Sequence, residues 1–410
     1  MRPIAISLAP NMQNDDVSLA TRLIFSPRQW VIGDGVEKVK RWFEEQYGGV
    51  ALPFNSGRAA AMEILRAAGI VEGDEVLIQA LTCVAVPNSV IWAGATPVFV
   101  DIDKSFNMNP SDVESKLTKK TRALIVQHTF GVPAQIEKLR AFADKYKLLL
   151  IEDCAHSLDA TVNGKAVGTF GDAALFSFGR DKIVSSVFGG MAIVRNEKLK
   201  IKIENLYKNL SYPSSFWTFQ QLVHPVLFNY LILPSYTSGL GKLLLFLFQQ
   251  LHILSRAVYK EEYQCDRPSV FPTKLSNSLA ILAFNQLKKL EEFNTHRREI
   301  ARFYFYQLKD VLGVHLPLNI AGSVWLRFPI VVSRKKELLA FAKKRGIMLG
   351  DWYDVVTPRD ALRCVGYKVG SCPNAEDAAK TIVNLPTYPT LSLDDAKKVV
   401  QMIKTFNLNG

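Results

Sequence analysis

Short apolar runs alternate with helical patterns through the first half of the chain. One run, residues 148–151, is followed by Asp153, and another, residues 173–178, contains Ser177. Runs of this length without polar alternation are typical of strands buried on both faces of a parallel sheet. Between such runs, Ile136–Tyr146 has the spacing of a helix. The alternation predicts an α/β fold with a mainly parallel, doubly wound sheet.

The same patterns predict the other elements of the chain. Helices are expected at residues 33–48, 59–68, 274–308, 335–345 and 393–406, and strands at residues 122–128, 191–194 and 325–332. Pro3, Pro10 and Pro27 predict an irregular segment over residues 2–28, because proline disfavours regular backbone hydrogen bonding.

Residues 213–254 form an aromatic, apolar segment with little charge. Pro225 and Pro234 interrupt it, and neither of its apolar stretches reaches the roughly 20 residues that a membrane-spanning helix needs. Three interpretations remain open: burial in a dimer interface, peripheral contact with a membrane, or a cover over the substrate. An interfacial anchor would suit its aromatic residues and the nearby cations, namely Trp217, Tyr230, Tyr236, Lys242, Arg256 and Lys260. Dimer burial is favoured, since apolar stretches of enzymes are more often core.

Composition and charge narrow the class of partner. Hydrophobic residues make up 48% and charged residues 21% of the 410 residues, which is typical of a globular protein. The net charge of +12 suits an anionic partner. Because no dense Lys/Arg run is interleaved with aromatic residues, nucleic acid is not expected as a partner.

The cysteines favour a reducing compartment. Five are scattered without a CxxC pair, so neither a zinc or other metal site nor a disulfide framework is expected: Cys83, Cys154, Cys265, Cys364 and Cys372. The first residues also lack the basic-then-apolar layout of a signal peptide. A cytoplasmic location is therefore expected.

Polar groups follow the ends of the apolar runs. Asp153 offers a carboxylate, Ser177 a hydroxyl, and Lys182 an amine five positions later, while Gly189 and Gly190 precede the next run. If these strands are parallel neighbours, the groups face one crevice. Pyridoxal phosphate needs such groups: an amine for a Schiff base, a carboxylate for the ring nitrogen, and donors for the phosphate. A lone loop lysine is the plain alternative, and the three-part spacing disfavours it.

A second polar turn, Ser56-Gly57-Arg58, opens the helix predicted at residues 59–68. The first turn of a helix presents free backbone N–H groups and the positive end of its dipole, which favours phosphate. An ordinary helix cap is the alternative interpretation.

Three motifs resemble those of the DegT/DnrJ/EryC1/StrS aminotransferases: Glu152-Asp153, Ser177 with Lys182, and the sequence LPTYPTL at residues 385–391. The resemblance extends from about residue 33 to the C-terminus. It implies an aspartate-aminotransferase-like large domain (fold type I) over residues 1–265, with an apolar insert at 213–265. A connecting helix and a smaller α+β domain follow over residues 266–410. The resemblance also implies a homodimer.

The resemblance assigns roles to residues at matching positions. Lys182 would form the Schiff base with pyridoxal phosphate and move the substrate proton. Asp153 would pair with the ring nitrogen, and His156 would lie near the phenolic oxygen. The phosphate would be held by Gly57, Arg58, Ala59 and Ser177. Cys83 stands where the family often has an aromatic residue that stacks on the ring, and His128 lies either near the site or in the core.

The reaction implied is transfer of an amino group, from L-glutamate in most of the family, to a keto group of a nucleotide-linked sugar, as in polysaccharide biosynthesis. Cys83, Pro272, Trp352 and the insert depart from the family pattern where the acceptor or partner subunit should approach. An aminotransferase acting on a lipid-linked or non-sugar keto compound therefore remains open. So does a non-catalytic, membrane-associated regulatory protein that binds the cofactor. The presence of Lys182 disfavours the non-catalytic alternative. Peripheral contact of the protein with the inner face of the membrane, through residues 213–254, is a further alternative.

Overall fold

The computed structural model describes residues 2–353 and 364–408. Its strands are β1 (Ile4–Ala5), β2 (Val50–Phe54), β3 (Glu75–Gln79), β4 (Thr96–Val100), β5 (Thr121–Gln127), β6 (Leu149–Asp153), β7 (Thr161–Val162), β8 (Lys165–Ala166), β9 (Ala173–Ser177), β10 (Gly190–Val194), β11 (Phe328–Val331), β12 (Ile347–Met348) and β13 (Ile382–Leu385). Its α-helices are α1 (Asn14–Ile24), α2 (Gly35–Tyr47), α3 (Gly57–Ala67), α4 (Ala85–Trp92), α5 (Pro110–Val113), α6 (Ile136–Tyr146), α7 (Glu197–Lys208), α8 (Ser215–Leu227), α9 (Leu240–Gln250), α10 (Asn277–Leu287), α11 (Leu290–Leu308), α12 (Lys335–Lys344), α13 (Pro373–Thr381) and α14 (Leu393–Leu408).

A seven-stranded sheet with the order β2-β10-β9-β6-β5-β3-β4 forms the centre of the molecule. The prediction of a mainly parallel α/β sheet is confirmed, and β10 is the exception, since it runs antiparallel to both of its neighbours. Its first residue, Gly190, therefore lies between Ser177 at the end of β9 and Phe54 at the end of β2. The glycine pair still reaches the crevice, but by the start of a strand and not by the end of one.

Helices cover both faces of this sheet, which explains why its strands lack polar alternation. Leu175 and Ala192 pack with α3 on one face. Phe176 and Met191 pack on the other face with α2 and α10. Side chains of successive strand residues point to opposite faces of the sheet, so each strand is buried on both faces.

The prediction that residues 2–28 are irregular is wrong for α1. Its buried side chains Val17, Ala20 and Leu23 lie on one face, and Asp16 accepts a hydrogen bond from the Gln13 backbone N–H at 3.0 Å, which caps the helix start. Pro10 and Pro27 lie outside α1 and bound it without breaking it.

The helix predicted over residues 274–308 is two helices. The break between α10 and α11 directs Lys289 toward α1, where its Nζ lies 2.8 Å from an oxygen of Asp15 and 2.8 Å from Oε1 of Gln13. Leu287 and Leu290 remain in the same apolar cluster, so the hydrophobic spacing alone does not reveal the break.

The apolar segment 213–254 folds into α8, a π-helical turn at Phe228–Ile232, and α9. Ser214 caps α8 by accepting the Trp217 backbone N–H at 3.2 Å. Helix α8 packs against α1 and α10, whereas Gly241 is the buried residue of α9. Among the described residues, no helix has the length and apolar character that crossing a membrane requires.

A disulfide joins Cys265 and Cys364, whose Cα atoms are 6.0 Å apart. The expectation of no disulfide is therefore wrong for this pair. The two residues are 99 positions apart, at the end of the insert and after residues 354–363, so their spacing gives no signal.

The C-terminal residues pack around small sheets. Strand β11 pairs antiparallel with β13, and β12 pairs in parallel with β1 from the N-terminus. Helices α11, α12 and α14 share one apolar core with β11 and β13. The domain boundary at residue 265 stays a prediction.

Candidate active site

A cavity of about 320 Å³ lies at the carboxyl edge of the central sheet. Most of the predicted site residues line it together: Gly57, Arg58, Cys83, Asp153, His156, Ser177 and Lys182. Ala59 lies one residue further into α3 and is not part of the described lining. Separate stretches of sequence are thus brought to one crevice, as the position of the strand ends predicts.

Lys182 is in the loop that follows β9. Its backbone carbonyl accepts a hydrogen bond from Nδ2 of Asn11, which also donates to the carbonyl of Ile183 at 2.9 Å. Burial lowers the pKa of the Lys182 amine, while the carboxylates of Asp181 and Asp153 oppose that shift. A lysine with a lowered pKa is neutral more often and can act as a nucleophile and as a base.

Asp153 is a buried carboxylate at the end of β6. Its Oδ1 accepts the Ala155 backbone N–H at 3.0 Å, and within residues 2–353 and 364–408 it forms no salt bridge. Burial raises the pKa of the Asp153 carboxyl. A protonated pyridine nitrogen would supply the missing positive charge, so the site fits the ring of pyridoxal phosphate.

His156 is buried with its ring stacked on Phe130 at a centroid distance of 6.3 Å. Its Nδ1 accepts the Phe130 backbone N–H at 3.3 Å. Burial, reinforced by the positive charges of Lys182 and Arg327, holds the pKa of His156 well below its usual value. The ring is therefore neutral, with its proton on Nε2, which is a hydrogen-bond donor for an oxygen in the cavity.

The first turn of α3 forms an anion seat beside Ser177. Ser56 Oγ accepts the Ala59 backbone N–H at 3.2 Å, while the earliest N–H groups of a helix have no acceptor within it. A Cβ built on Gly190 would lie 2.4 Å from the Gly57 nitrogen. Only glycine allows β10 to pass this close, and the hydroxyl of Ser177 borders the same turn.

The guanidinium of Arg58 is engaged with the insert. It forms an ion pair with Glu262, whose side chain is fully buried, and donates to the Ala257 carbonyl at 3.1 Å. Lys274, which pairs with Phe54 at the end of β2, donates to the Lys208 carbonyl at 3.1 Å and is exposed at that contact. Arg58 as a cofactor ligand stays a prediction, and the backbone of α3 is the better-placed donor.

Asp181 and Arg327 are two charged residues of the site that the sequence did not reveal. They form an ion pair, and the guanidinium carbon of Arg327 lies 3.3 Å from the centroid of the Trp352 ring. All three line the cavity that contains Lys182. Asp181 precedes Lys182 in the chain and was visible as a neighbour, but nothing in the sequence links it to Arg327, 146 positions away.

The LPTYPTL motif supports the segment that carries Arg327. Thr387 Oγ1 donates to the carbonyls of Trp325 and Leu326, at 2.7 and 2.9 Å. The Tyr304 hydroxyl donates to the Pro386 carbonyl at 3.0 Å. In this structure the motif therefore holds the two residues that precede Arg327 in the chain.

Arg180 is a partly buried cation in the cavity wall. Its Nη2 donates to the Ser255 carbonyl and hydroxyl at 2.7 and 2.6 Å, and its Nε has no partner among the described residues. Burial lowers the pKa of Arg180 to about 10. Because none of the described carboxylates forms a salt bridge with it, an anionic substrate group would compensate its charge.

Three buried residues, His128, Glu152 and Cys154, lie close enough to resemble a metal site, with their ligand atoms within 4.8 Å of one another. The Glu152 oxygens already accept the backbone N–H groups of Gly168, Phe170 and Gly171, each at 2.7 Å. His128 Nε2 lies 3.3 Å from Glu152. Both oxygens of the Glu152 carboxylate are therefore occupied by hydrogen bonds within the core. His128 is outside the described cavity lining.

Known proteins share this architecture. The sequence profile of the DegT/DnrJ/EryC1/StrS aminotransferase family matches residues 12–230 and 246–404. A pleiotropic regulatory protein of Geobacillus stearothermophilus is 31% identical over 389 residues, which cover 92% of this chain and 91% of that protein. A GDP-perosamine synthase of Escherichia coli O157:H7 is 27% identical over 383 residues, with 92% of each covered.

A solved structure of DesV from S. venezuelae superimposes with a TM-score of 0.74 at 26% identity, covering 96% of this chain and 94% of that one. The predicted fold type I architecture is thereby confirmed. The profile match over most of the length shows that the chain belongs to the DegT/DnrJ/EryC1/StrS aminotransferase family and is a pyridoxal-phosphate-dependent aminotransferase.

Proposed function

We propose that the enzyme transfers an amino group from L-glutamate to a keto group of a nucleotide-linked sugar. The observation that carries the proposal is the placement of Lys182, Asp153 and His156 around one cavity beside the anion seat of α3. One relative is a GDP-perosamine synthase, which supports a nucleotide-linked acceptor. The net charge of +12 and the partly buried Arg180 suit an anionic diphosphate.

Each side chain has a defined task in this proposal. Pyridoxal phosphate, when bound, supplies an electron-accepting ring and a carbonyl carbon. The α3 backbone and Ser177 would hold its phosphate, and Asp153 would keep the ring nitrogen protonated. His156 Nε2 would donate to the phenolic oxygen. Lys182 would hold the cofactor covalently between turnovers. Once released, its amine would move a proton between the substrate carbon and the cofactor C4′ in each half-reaction.

The two half-reactions test this function separately. We expect L-glutamate alone to change the visible absorbance of the cofactor-loaded enzyme and to yield 2-oxoglutarate. A nucleotide-linked keto sugar should then restore the absorbance and appear as an amino sugar by mass spectrometry. An enzyme that binds the cofactor but responds to no amino donor would contradict the proposal.

A lipid-linked or non-sugar keto acceptor is the second candidate. It is favoured by the apolar side of the cavity, where Phe228 and Leu245 of the insert form part of the wall. Adding such acceptors to the same donor-treated enzyme separates the candidates. A non-catalytic regulatory protein is disfavoured by Lys182, because a purely structural cavity does not require an amine in its lining.

Partners and location are proposals as well. We propose a homodimer, and sedimentation equilibrium at twice the chain mass of 45.9 kDa would support it. We also propose a cytoplasmic enzyme with peripheral membrane contact through residues 213–254. Because Cys265 and Cys364 form a disulfide, the cysteines no longer support a reducing compartment. The proposal of a cytoplasmic location is therefore based on the nucleotide-linked substrate alone.

A further inference from the structure

Helix α9 has two different faces. Its inner face contributes Leu245 and Gln249 to the wall of the cavity that contains Lys182. Its outer face exposes a row of large apolar side chains, from 40% to 66% accessible: Leu240, Leu243, Phe246, Leu247 and, just past the helix end, Leu251. One helix therefore separates the active-site cavity from an apolar surface.

The exposed apolar surface continues onto the π-helical turn that packs against α9. Tyr230 is 65% and Leu231 43% exposed there. The opposite side of this turn is anchored, since Ile232 and Leu233 are buried in a cluster with partly buried Leu245 and Phe248 of α9. The apolar surface is thus held on a packed support and is not a loose loop.

The segment carries charge of only one sign. Residues 205–260 contain no aspartate or glutamate, whereas they include Lys208, Lys242, Arg256 and Lys260. Surfaces of globular proteins usually intersperse both signs. Lys242 lies on α9 itself, and residues 205–260 add no carboxylate near the apolar face, so the charge of this segment is complementary to an anionic amphiphile.

A basic cavity of about 610 Å³ adjoins this surface. Thr237, in the turn before α9, lines it together with Arg2 and Arg345. Arg2 donates to Oδ1 of Asn229 at 2.8 Å, next to Tyr230. Over residues 2–353 and 364–408, neither arginine forms a salt bridge, whereas Lys398 in the same wall is paired with Asp395.

We propose that the outer face of α9 and the Arg2–Arg345 cavity form a docking site for an anionic phospholipid surface. The apolar side chains enter the membrane interface, and the two guanidinium groups bind headgroup phosphates. The inference deepens the proposed peripheral contact by naming its residues and its lipid class. Because Leu245 and Gln249 line the cavity, docking brings the active site to the membrane surface.

A second copy of the chain fits this surface less well. A two-fold interface places the same patch against itself. Lys242 and the neighbouring arginines would then approach their own copies without carboxylates from residues 205–260 to balance them. An anionic bilayer offers both the apolar depth and the opposite charge.

Vesicle flotation of the full-length protein tests the proposal. We expect the protein to float with vesicles of phosphatidylcholine and phosphatidylglycerol and to remain unbound with phosphatidylcholine alone. The double variant Leu243→Ser, Phe246→Ser should lose binding by about tenfold or more. The double variant Arg2→Gln, Arg345→Gln should lose most of the preference for phosphatidylglycerol.

The control variants change exposed residues elsewhere on the surface. Leu312→Ser replaces a side chain that is 91% exposed, and Lys309→Gln removes a surface cation; both should bind as the wild type does. Wild-type protein that stays unbound with both vesicles overturns the proposal. So does a Leu243→Ser, Phe246→Ser variant that changes from dimer to monomer, because α9 would then be an interface between copies. Flotation measures membrane binding and requires no turnover. A protein that does not float would therefore contradict the docking site without contradicting the proposed transamination.

Discussion

Replacing Lys182 with alanine is expected to lower kcat for transamination by about 10⁴-fold or more. No second lysine lines the described part of the cavity, so the variant loses both the amine that holds the cofactor and the base that moves the proton. Steady-state formation of 2-oxoglutarate measures the loss.

Two further variants make the Lys182 experiment specific. Lys182→Arg keeps a cation but not a neutral amine, because arginine stays protonated, and it should be as inactive as the alanine variant. Lys274→Ala removes a lysine that contacts the Lys208 carbonyl outside the cavity and should keep wild-type turnover. A Lys182→Ala enzyme with a tenth of the normal kcat would exclude the assigned role.

Replacing Asp153 with asparagine is expected to lower kcat on the order of 10²–10³-fold. The amide keeps the shape of the side chain and an acceptor for the Ala155 N–H, but it removes the negative charge that would keep the ring nitrogen protonated. The measurements are kcat and the affinity for the cofactor, compared with a surface control, Asp310→Asn, whose side chain is 86% exposed.

The stability of the Asp153→Asn variant separates this role from a structural one. Burial raises the pKa of Asp153, so its charged form is unfavourable in the folded protein without the cofactor. The melting temperature of the cofactor-free variant should therefore equal or exceed that of the wild type. A variant that loses activity only in proportion to its unfolded fraction would contradict the electrostatic role.

Sequence patterns predicted the parts of the fold that depend on local order along the chain. The strands ending at Asp153 and Ser177 were visible because both are apolar throughout, and their polar ends placed the site at the carboxyl edge. The prolines on either side of α1 obscure the helical spacing of Val17, Ala20 and Leu23 in the sequence. The sequence does not predict that β10 is antiparallel to its neighbours, because an apolar run has the same pattern in a parallel and in an antiparallel strand.

The contacts that sequence patterns did not reveal are nonlocal. Arg327 reaches Asp181 from the far end of the chain, and Glu262 at the end of the insert engages Arg58. Only the packing of the insert shows where the Arg58 guanidinium lies. The Cys265–Cys364 disulfide is of the same kind, because it depends on how distant segments meet.

Borohydride reduction of the cofactor-loaded enzyme, followed by peptide mapping, tests the central claim most directly. Reduction fixes the cofactor to the amine that holds it. We expect the pyridoxyl group on the peptide that contains Lys182 and on no other peptide, and we expect no label in Lys182→Ala. A label on a different lysine, or an unlabelled wild-type enzyme that still transaminates, would contradict the assignment of this cavity as the active site.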